Sequence, residues 1–219
     1  MLRYEEEAWQ QGRQLVAGVD EAGRGPLAGP VVAAAVLWSP AYARTAAGTT
    51  LRGLTDSKKL TARRREFFYG LLTSTPEVRY AVGVVEAAEI DAVNILHATH
   101  RAMAAALSQL DPLPDWALVD GRPVPGLPCP SRAIVRGDGL SLSIAAASVV
   151  AKVTRDRLMQ EWDRHHPVYG FARHKGYGTA EHLAALAAHG PAPCHRRSFA
   201  PVRAASAPPT KELDCVELV

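Results

Sequence analysis

Four acidic side chains sit where short apolar segments stop. Asp20 closes Leu15-Val16-Ala17-Gly18-Val19, and Glu21 follows it directly. Asp120 closes Trp116-Ala117-Leu118-Val119, and Asp138 lies just past Ala133-Ile134-Val135. Apolar runs of this length bounded by Gly and Pro read as buried strands, so these acids cluster at one sheet edge if the strands are neighbours. Clustered carboxylates repel one another unless protonated or neutralised by a cation. Oxygen-rich sites of this kind hold Mg²⁺ or Mn²⁺, and paired ions serve phosphodiester displacement. Taken singly, an acid at a strand end is an ordinary turn cap facing water. Adjacent strand residues also point to opposite faces, so Asp20 and Glu21 share a site only if the strand breaks there; Gly23 and Gly25 offer such a break.

The turn Gly23-Arg24-Gly25-Pro26 follows the acid pair. Its glycines allow close approach of backbone to a ligand, and N–H groups in such turns hold phosphate or a sugar hydroxyl. A tight turn with positive φ explains the same spacing. It is neither a Walker loop nor a dinucleotide fingerprint, so no nucleotide cofactor is expected. Basic residues gather at Lys58-Lys59 with Arg63-Arg64-Arg65, at Lys152, Arg155 and Arg157, and from Arg173 through Lys175 to Arg196 and Arg197. Each group taken alone reads as a solvated face before it reads as a phosphate contact.

The elements that must carry these residues follow from periodicity. Strands are expected at Leu15–Asp20, Pro30–Trp38, Val78–Val85, Trp116–Asp120 and Ala133–Val135, with Val78, Tyr80, Val82 and Val84 on one side of the third. Thr61 is a candidate N-cap for a helix to Leu72, and Asp91–Leu110, Ser141–Trp162 and Ala180–Ala188 read as helices. Residues 41–50 and 165–178 have loop composition, and 204–219 reads as a disordered tail. Strands early and helices late predict an α/β fold, a mixed sheet flanked by helices.

With 25 Lys and Arg against 22 Asp and Glu, the net charge of +3 does not by itself identify a nucleic-acid binder. The chain has 219 residues, enough for one domain with an appendage. Its three cysteines (Cys129, Cys194, Cys215) exclude a disulfide scaffold and point to a reducing cytoplasm. No apolar run is long enough to cross a bilayer, and the acidic start Glu5-Glu6-Glu7 is unlike a secretory signal. His165, His166, His174, Cys194 and His195 lack zinc-ligand spacing. They leave open acid–base hydrolysis by a metal-free route.

Val19-Asp20-Glu21-Ala22-Gly23-Arg24-Gly25-Pro26 resembles the signature of ribonuclease HII, the type 2 ribonuclease H family. The likeness continues, in the family's order, through Thr55–Leu60, Val119-Asp120-Gly121, Gly137-Asp138, Ala146-Ala147-Ser148 with Ala151–Asp156, Tyr169-Gly170-Phe171, His174–Thr179 and His195–Phe199. It spans residues 14–203, the expected catalytic domain, with a helical C-terminal part from about 165. The resemblance implies a ribonuclease-H-like fold and hydrolysis of the RNA strand of RNA–DNA hybrids. It also implies incision on the 5′ side of ribonucleotides embedded in DNA.

By the same resemblance Asp20, Glu21, Asp120 and Asp138 match the metal-binding carboxylates, with Mn²⁺ or Mg²⁺ as cofactor. Gly23, Arg24 and Gly25 match the segment that senses the 2′-hydroxyl, and Tyr177 the ring that packs on the sugar beyond the ribonucleotide. In that context Lys58, Lys59, Lys152, Lys175 and Arg196 become candidate phosphate contacts. Arg136 stands where many members carry lysine. The expected enzyme is a cytoplasmic monomer. The alternatives are a non-catalytic hybrid-binding protein of the same fold, or a DNA nuclease related to integrases and resolvases.

Overall fold

Eight consecutive apolar residues, Val31-Val32-Ala33-Ala34-Ala35-Val36-Leu37-Trp38, form strand β2 (Val31–Trp38), and every one is buried. A strand without polar alternation is covered on both faces. In the computed structural model, which describes residues 1–206, β2 lies inside a five-stranded sheet with strands ordered β3-β2-β1-β4-β5. The other strands are β1 (Val16–Ala22), β3 (Val78–Val85), β4 (Trp116–Asp120) and β5 (Ser131–Ile134). β2 pairs antiparallel with β1 and β3, whereas β4 pairs parallel with β1 and β5. β1 and β4 therefore deliver their C-terminal ends side by side. The sheet with its flanking helices is the α/β architecture expected from the sequence.

One face packs on helix α5 (Leu142–His165), through Ala34, Val36 and Leu118 against Ile144, Ala145 and Val149. The Ala- and Ser-rich first half of α5 lets it approach closely. A Cβ at Gly18 of β1 would lie 2.1 Å from the Ser143 carbonyl carbon, so only glycine admits the helix there. The opposite face packs on α4 (Ala87–Ser108), through Val19, Ala33 and Val119 against Ile90, Met103 and Leu107. The remaining helices are α1 (Arg3–Gln10), α2 (Pro40–Gly48), α3 (Ala62–Ser74), α6 (Phe171–His174), α7 (Ala180–His189) and α8 (Ala200–Ala205).

Several expectations are corrected. Residues 40–48 form α2 rather than a loop: Ser39 Oγ accepts the N–H of Tyr42, and Pro40 opens the first turn. Residues 3–10, assigned no element from the sequence, fold as α1. α4 starts four residues earlier than Asp91 and is interrupted at Asn94 (φ 67, ψ 165). Asn94 Oδ1 accepts the N–H groups of Leu96 and His97 and so caps the second half. Beyond that break Leu96 is exposed. On β3, Tyr80 and Val84 are exposed because the strand is a sheet edge.

Residues 165–178 are not wholly irregular: α5 runs to His165, and a 3₁₀ turn (Pro167–Tyr169) and α6 follow. α8 takes Ala204 and Ala205 out of the expected tail. The rest of that tail from residue 207 lies outside the described residues. Among the described residues no helix is long and apolar enough to cross a membrane.

Candidate active site

Strand parity decides which acids meet. Ala17 and Val19 of β1 pack on the α4 side, so Asp20 turns to the α5 side and Glu21 back toward α4. On β4, Ala117 and Val119 pack toward α4, which sends Asp120 to the α5 side beside Asp20. Asp138 comes from a 3₁₀ turn (Gly137–Gly139) between β5 and α5, entered through a left-handed Arg136 (φ 58). Asp120 Oδ1 accepts the Gly137 N–H at 2.6 Å, which ties that turn to the end of β4. Asp20, Asp120 and Asp138 each offer a carboxylate oxygen within 4.8 Å of the others.

The strand does not break after Asp20. β1 pairs with β2 through Glu21 and Ala22, so Glu21 stands outside this trio. Both acids nevertheless line one cleft of about 490 Å³, because Glu21 sits at the rim between it and a second cleft on the α4 side. Arg24 Nη1 lies 3.4 Å from Glu21 Oε1.

Electrostatics agree with a cation site. Burial, and then the charges of Glu21 and Asp120, push the Asp20 carboxyl well above the ordinary carboxylate range. Glu21 is raised by burial, against the opposing Arg24 charge, and Asp138 by burial and by Asp120 and Asp56. Three hard oxygen donors this close, each raised or faced by like charge, suit a divalent ion that removes the repulsion.

The same cleft is lined by Gly23, Arg24, Gly25, Lys58, Lys152 and Tyr177. Tyr177 is 47% exposed, and its Cε1 lies 3.6 Å from where a Gly25 Cβ would stand. The ring thus faces the turn across the opening. Lys152 Nζ is 2.6 Å from Asp156 Oδ1, and Lys59 is exposed near Gly139 of the Asp138 turn. Lys175 turns away: its ammonium donates to the Ala172 carbonyl, and it lines a separate groove.

Arg196, expected to contact phosphate, is instead fully buried. Its guanidinium donates to the carbonyls of Gly23 (2.6 Å), Arg24 (3.0 Å), Pro26 (2.8 Å) and Gly29 (2.9 Å). Arg155, another candidate, is also buried and donates to Pro30, Ala28 and Lys175 carbonyls. Burial without a carboxylate partner lowers the two guanidinium pKa values to about 9 for Arg196 and about 10 for Arg155. Drawing the carbonyls inward leaves the N–H groups of Arg24 and Gly25 without a protein acceptor among the described residues. These two arginines act on the turn from beneath.

Sequence reasoning missed Ser57 and Ser148, which line the cleft and share a 2.9 Å hydrogen bond. The available signal for Ser148 was a hydroxyl within the apolar run Ile144–Ala151.

A mixed sheet in this order, with carboxylates at the adjoining ends of its parallel strands, defines a ribonuclease-H-like nuclease. The solved ribonuclease H2 from Pyrococcus horikoshii superposes with a TM-score of 0.71 at 27% identity, covering 87% of this chain and 96% of that one. Bst-RNase HIII in complex with Mn²⁺ shares the fold, with a TM-score of 0.70 at 19% identity over 90% of this chain and 71% of that one. The family model for ribonuclease HII matches residues 17–202, and the chain belongs to that family. A ribonuclease HII from Geobacillus kaustophilus is 53% identical over 204 residues, 93% of this chain and 75% of that protein. The chain is thus a ribonuclease H endonuclease that acts on RNA–DNA hybrids, and its acidic trio is placed to hold a divalent ion.

Proposed function

We propose that the enzyme also cuts duplex DNA on the 5′ side of a single embedded ribonucleotide, and that residues 14–203 form the catalytic domain. One observation carries this reading: Asp20 and Glu21, the Gly23-Arg24-Gly25 turn and Tyr177 border a single cleft, and Asp120 and Asp138 bring carboxylate oxygens within 4.8 Å of Asp20. Asp20, Glu21, Asp120 and Asp138 are the groups that would hold Mg²⁺ or Mn²⁺. Bound there, divalent ions activate a water and offset charge on the leaving oxygen.

The chain's own residues supply the selection. The free N–H groups of the turn hydrogen-bond the 2′-hydroxyl, the feature that separates RNA from DNA locally. Tyr177 packs on the next sugar; aromatic stacking on nucleic acid contributes about 1–3 kcal/mol per base. Lys58 and Lys152 bind flanking phosphates, and Lys59 and Lys175 lie on the path of the duplex. Arg196 belongs to the turn's support and not to phosphate binding. Hydrolysis breaks the bond from phosphorus to the 3′-oxygen, leaving 3′-hydroxyl and 5′-phosphate ends. Such an enzyme, a cytoplasmic monomer, serves removal of ribonucleotides from DNA and of RNA primers.

The test is a labelled DNA duplex carrying one ribonucleotide, incubated with Mg²⁺, Mn²⁺ or EDTA. The expected result is one cut 5′ of the ribonucleotide with metal, none with EDTA, and an untouched all-DNA control. No cut with either metal, or a cyclic-phosphate product, contradicts the proposal.

A further inference from the structure

Away from the acidic cluster, two buried histidines form a directed chain that ends on the Tyr177 backbone. His182 and His195 are 0% and 1% exposed. His195 Nδ1 accepts the N–H of Ala192 at 2.9 Å. A neutral imidazole accepting at Nδ1 carries its proton on Nε2, and His195 Nε2 lies 3.0 Å from His182 Nε2. That contact requires His182 Nε2 to accept, so His182 holds its own proton on Nδ1. His182 Nδ1 is 2.9 Å from the Tyr177 carbonyl oxygen and donates to it. The network thereby assigns both tautomers.

Nothing in this chain tolerates an extra proton. Protonation of His195 removes the acceptor for Ala192, and protonation of His182 sets two N–H groups head to head. Burial holds both rings below the ordinary histidine pKa, and His195 falls to about 4. Tyr177 is fastened on its other side as well: its N–H donates to the His174 carbonyl at 2.9 Å, and the His174 ring stacks on His182 at 4.5 Å. The far end of the chain reaches the opposite wall of the cleft. Arg196, next to His195, is the residue whose guanidinium gathers the Gly23, Arg24 and Pro26 carbonyls.

We infer that the His195–His182 pair is a positioning relay that fixes Tyr177 relative to the Gly23-Arg24-Gly25 turn, and so sets the preference for an isolated ribonucleotide over continuous hybrid. The inference rests on the role proposed for Tyr177. His182→Asn keeps a donor for the Tyr177 carbonyl, because the Asn amide stands close to the place of Nδ1; His182→Leu removes it.

The experiment compares the wild-type enzyme, both His182 variants and Tyr177→Ala on a single-ribonucleotide duplex and on a long hybrid. His182→Leu should lower the ratio of the two rates about tenfold, the effect of one lost positioned hydrogen bond. His182→Asn should recover most of that ratio. If Tyr177→Ala lowers the ratio and His182→Leu does not, the relay is overturned and the Tyr177 role stands. If Tyr177→Ala leaves the ratio unchanged, the Tyr177 role fails and the relay's proposed purpose fails with it. Long-range ¹H–¹⁵N spectra of the wild-type protein remove any dependence on variant folding. Neutral His182 with its proton on Nδ1 and neutral His195 with its proton on Nε2 at pH 7 are expected, and the opposite tautomer of either ring overturns the relay.

Discussion

The Gly137 N–H donates to Asp120 Oδ1 at 2.6 Å, so the acid that ends β4 also holds the turn presenting Asp138. One oxygen of Asp120 is thus committed to backbone, and the carboxylate's charge is what the cluster shares. Asp120→Asn keeps an oxygen for Gly137 and removes the charge. Cleavage of a long hybrid should fall by at least about 10²-fold, the scale on which lost electrostatic stabilisation acts. Hybrid affinity, read by gel shift, should stay within a few-fold. A variant that cleaves at the wild-type rate removes Asp120 from the chemistry.

Tyr177 faces Gly25 across the cleft. Tyr177→Ala should slow cutting at an isolated ribonucleotide about tenfold more than cutting of a long hybrid, within the range of a lost stacking contact. Equal losses on both substrates would leave the ring without the assigned role.

Arg196 and Lys58 should separate by salt dependence. Lys58 is exposed at the cleft, so Lys58→Ala should reduce the slope of log affinity against log salt by about one phosphate contact. Arg196 is buried on four carbonyls. Arg196→Lys should leave that slope unchanged while lowering the melting temperature, since a single ammonium cannot serve all four acceptors. A reduced slope for Arg196→Lys would restore it to the phosphate contacts.

His195 is held neutral by burial and by His182, with its pKa lowered to about 4 against about 6.5 in the unfolded chain. Above about pH 6.5 both states are neutral and its contribution to stability is complete. Between 6.5 and 4 the unfolded chain takes up a proton that the folded chain refuses, so stability falls with pH. Urea midpoints should decline across that window in the wild type and decline less steeply in His195→Gln. Parallel pH profiles would show that His195 is not the group responsible.

The sequence exposed the acids because each ends an apolar run, and strand ends are where a sheet gathers side chains from distant segments. Its parity rule also anticipated that Asp20 and Glu21 would diverge. The expected remedy, a broken strand, was wrong: pairing with β2 continues, and the end of the sheet brings both acids to one opening. α2 was hidden by its Ala, Thr and Gly content, although Ser39-Pro40 is a readable start signal. Asn94 carries no pattern that announces a left-handed break. Arg196 looked like a surface cation because nothing local shows that its partners lie 167 to 173 residues earlier. The histidine relay was illegible for another reason: its partners are near in sequence, but His182 lies on α7 and His195 in the segment after it, and only the path of that segment back onto α7 brings the two rings together.

The most direct test of the account is Mn²⁺ binding followed by EPR on the wild type and on Asp20→Asn and Asp138→Asn. The wild type should bind the ion, and each variant should bind it at least about tenfold more weakly, in step with its loss of cleavage. Undiminished Mn²⁺ binding in both variants would contradict the claim that these carboxylates, brought together at the end of the sheet, form the metal site.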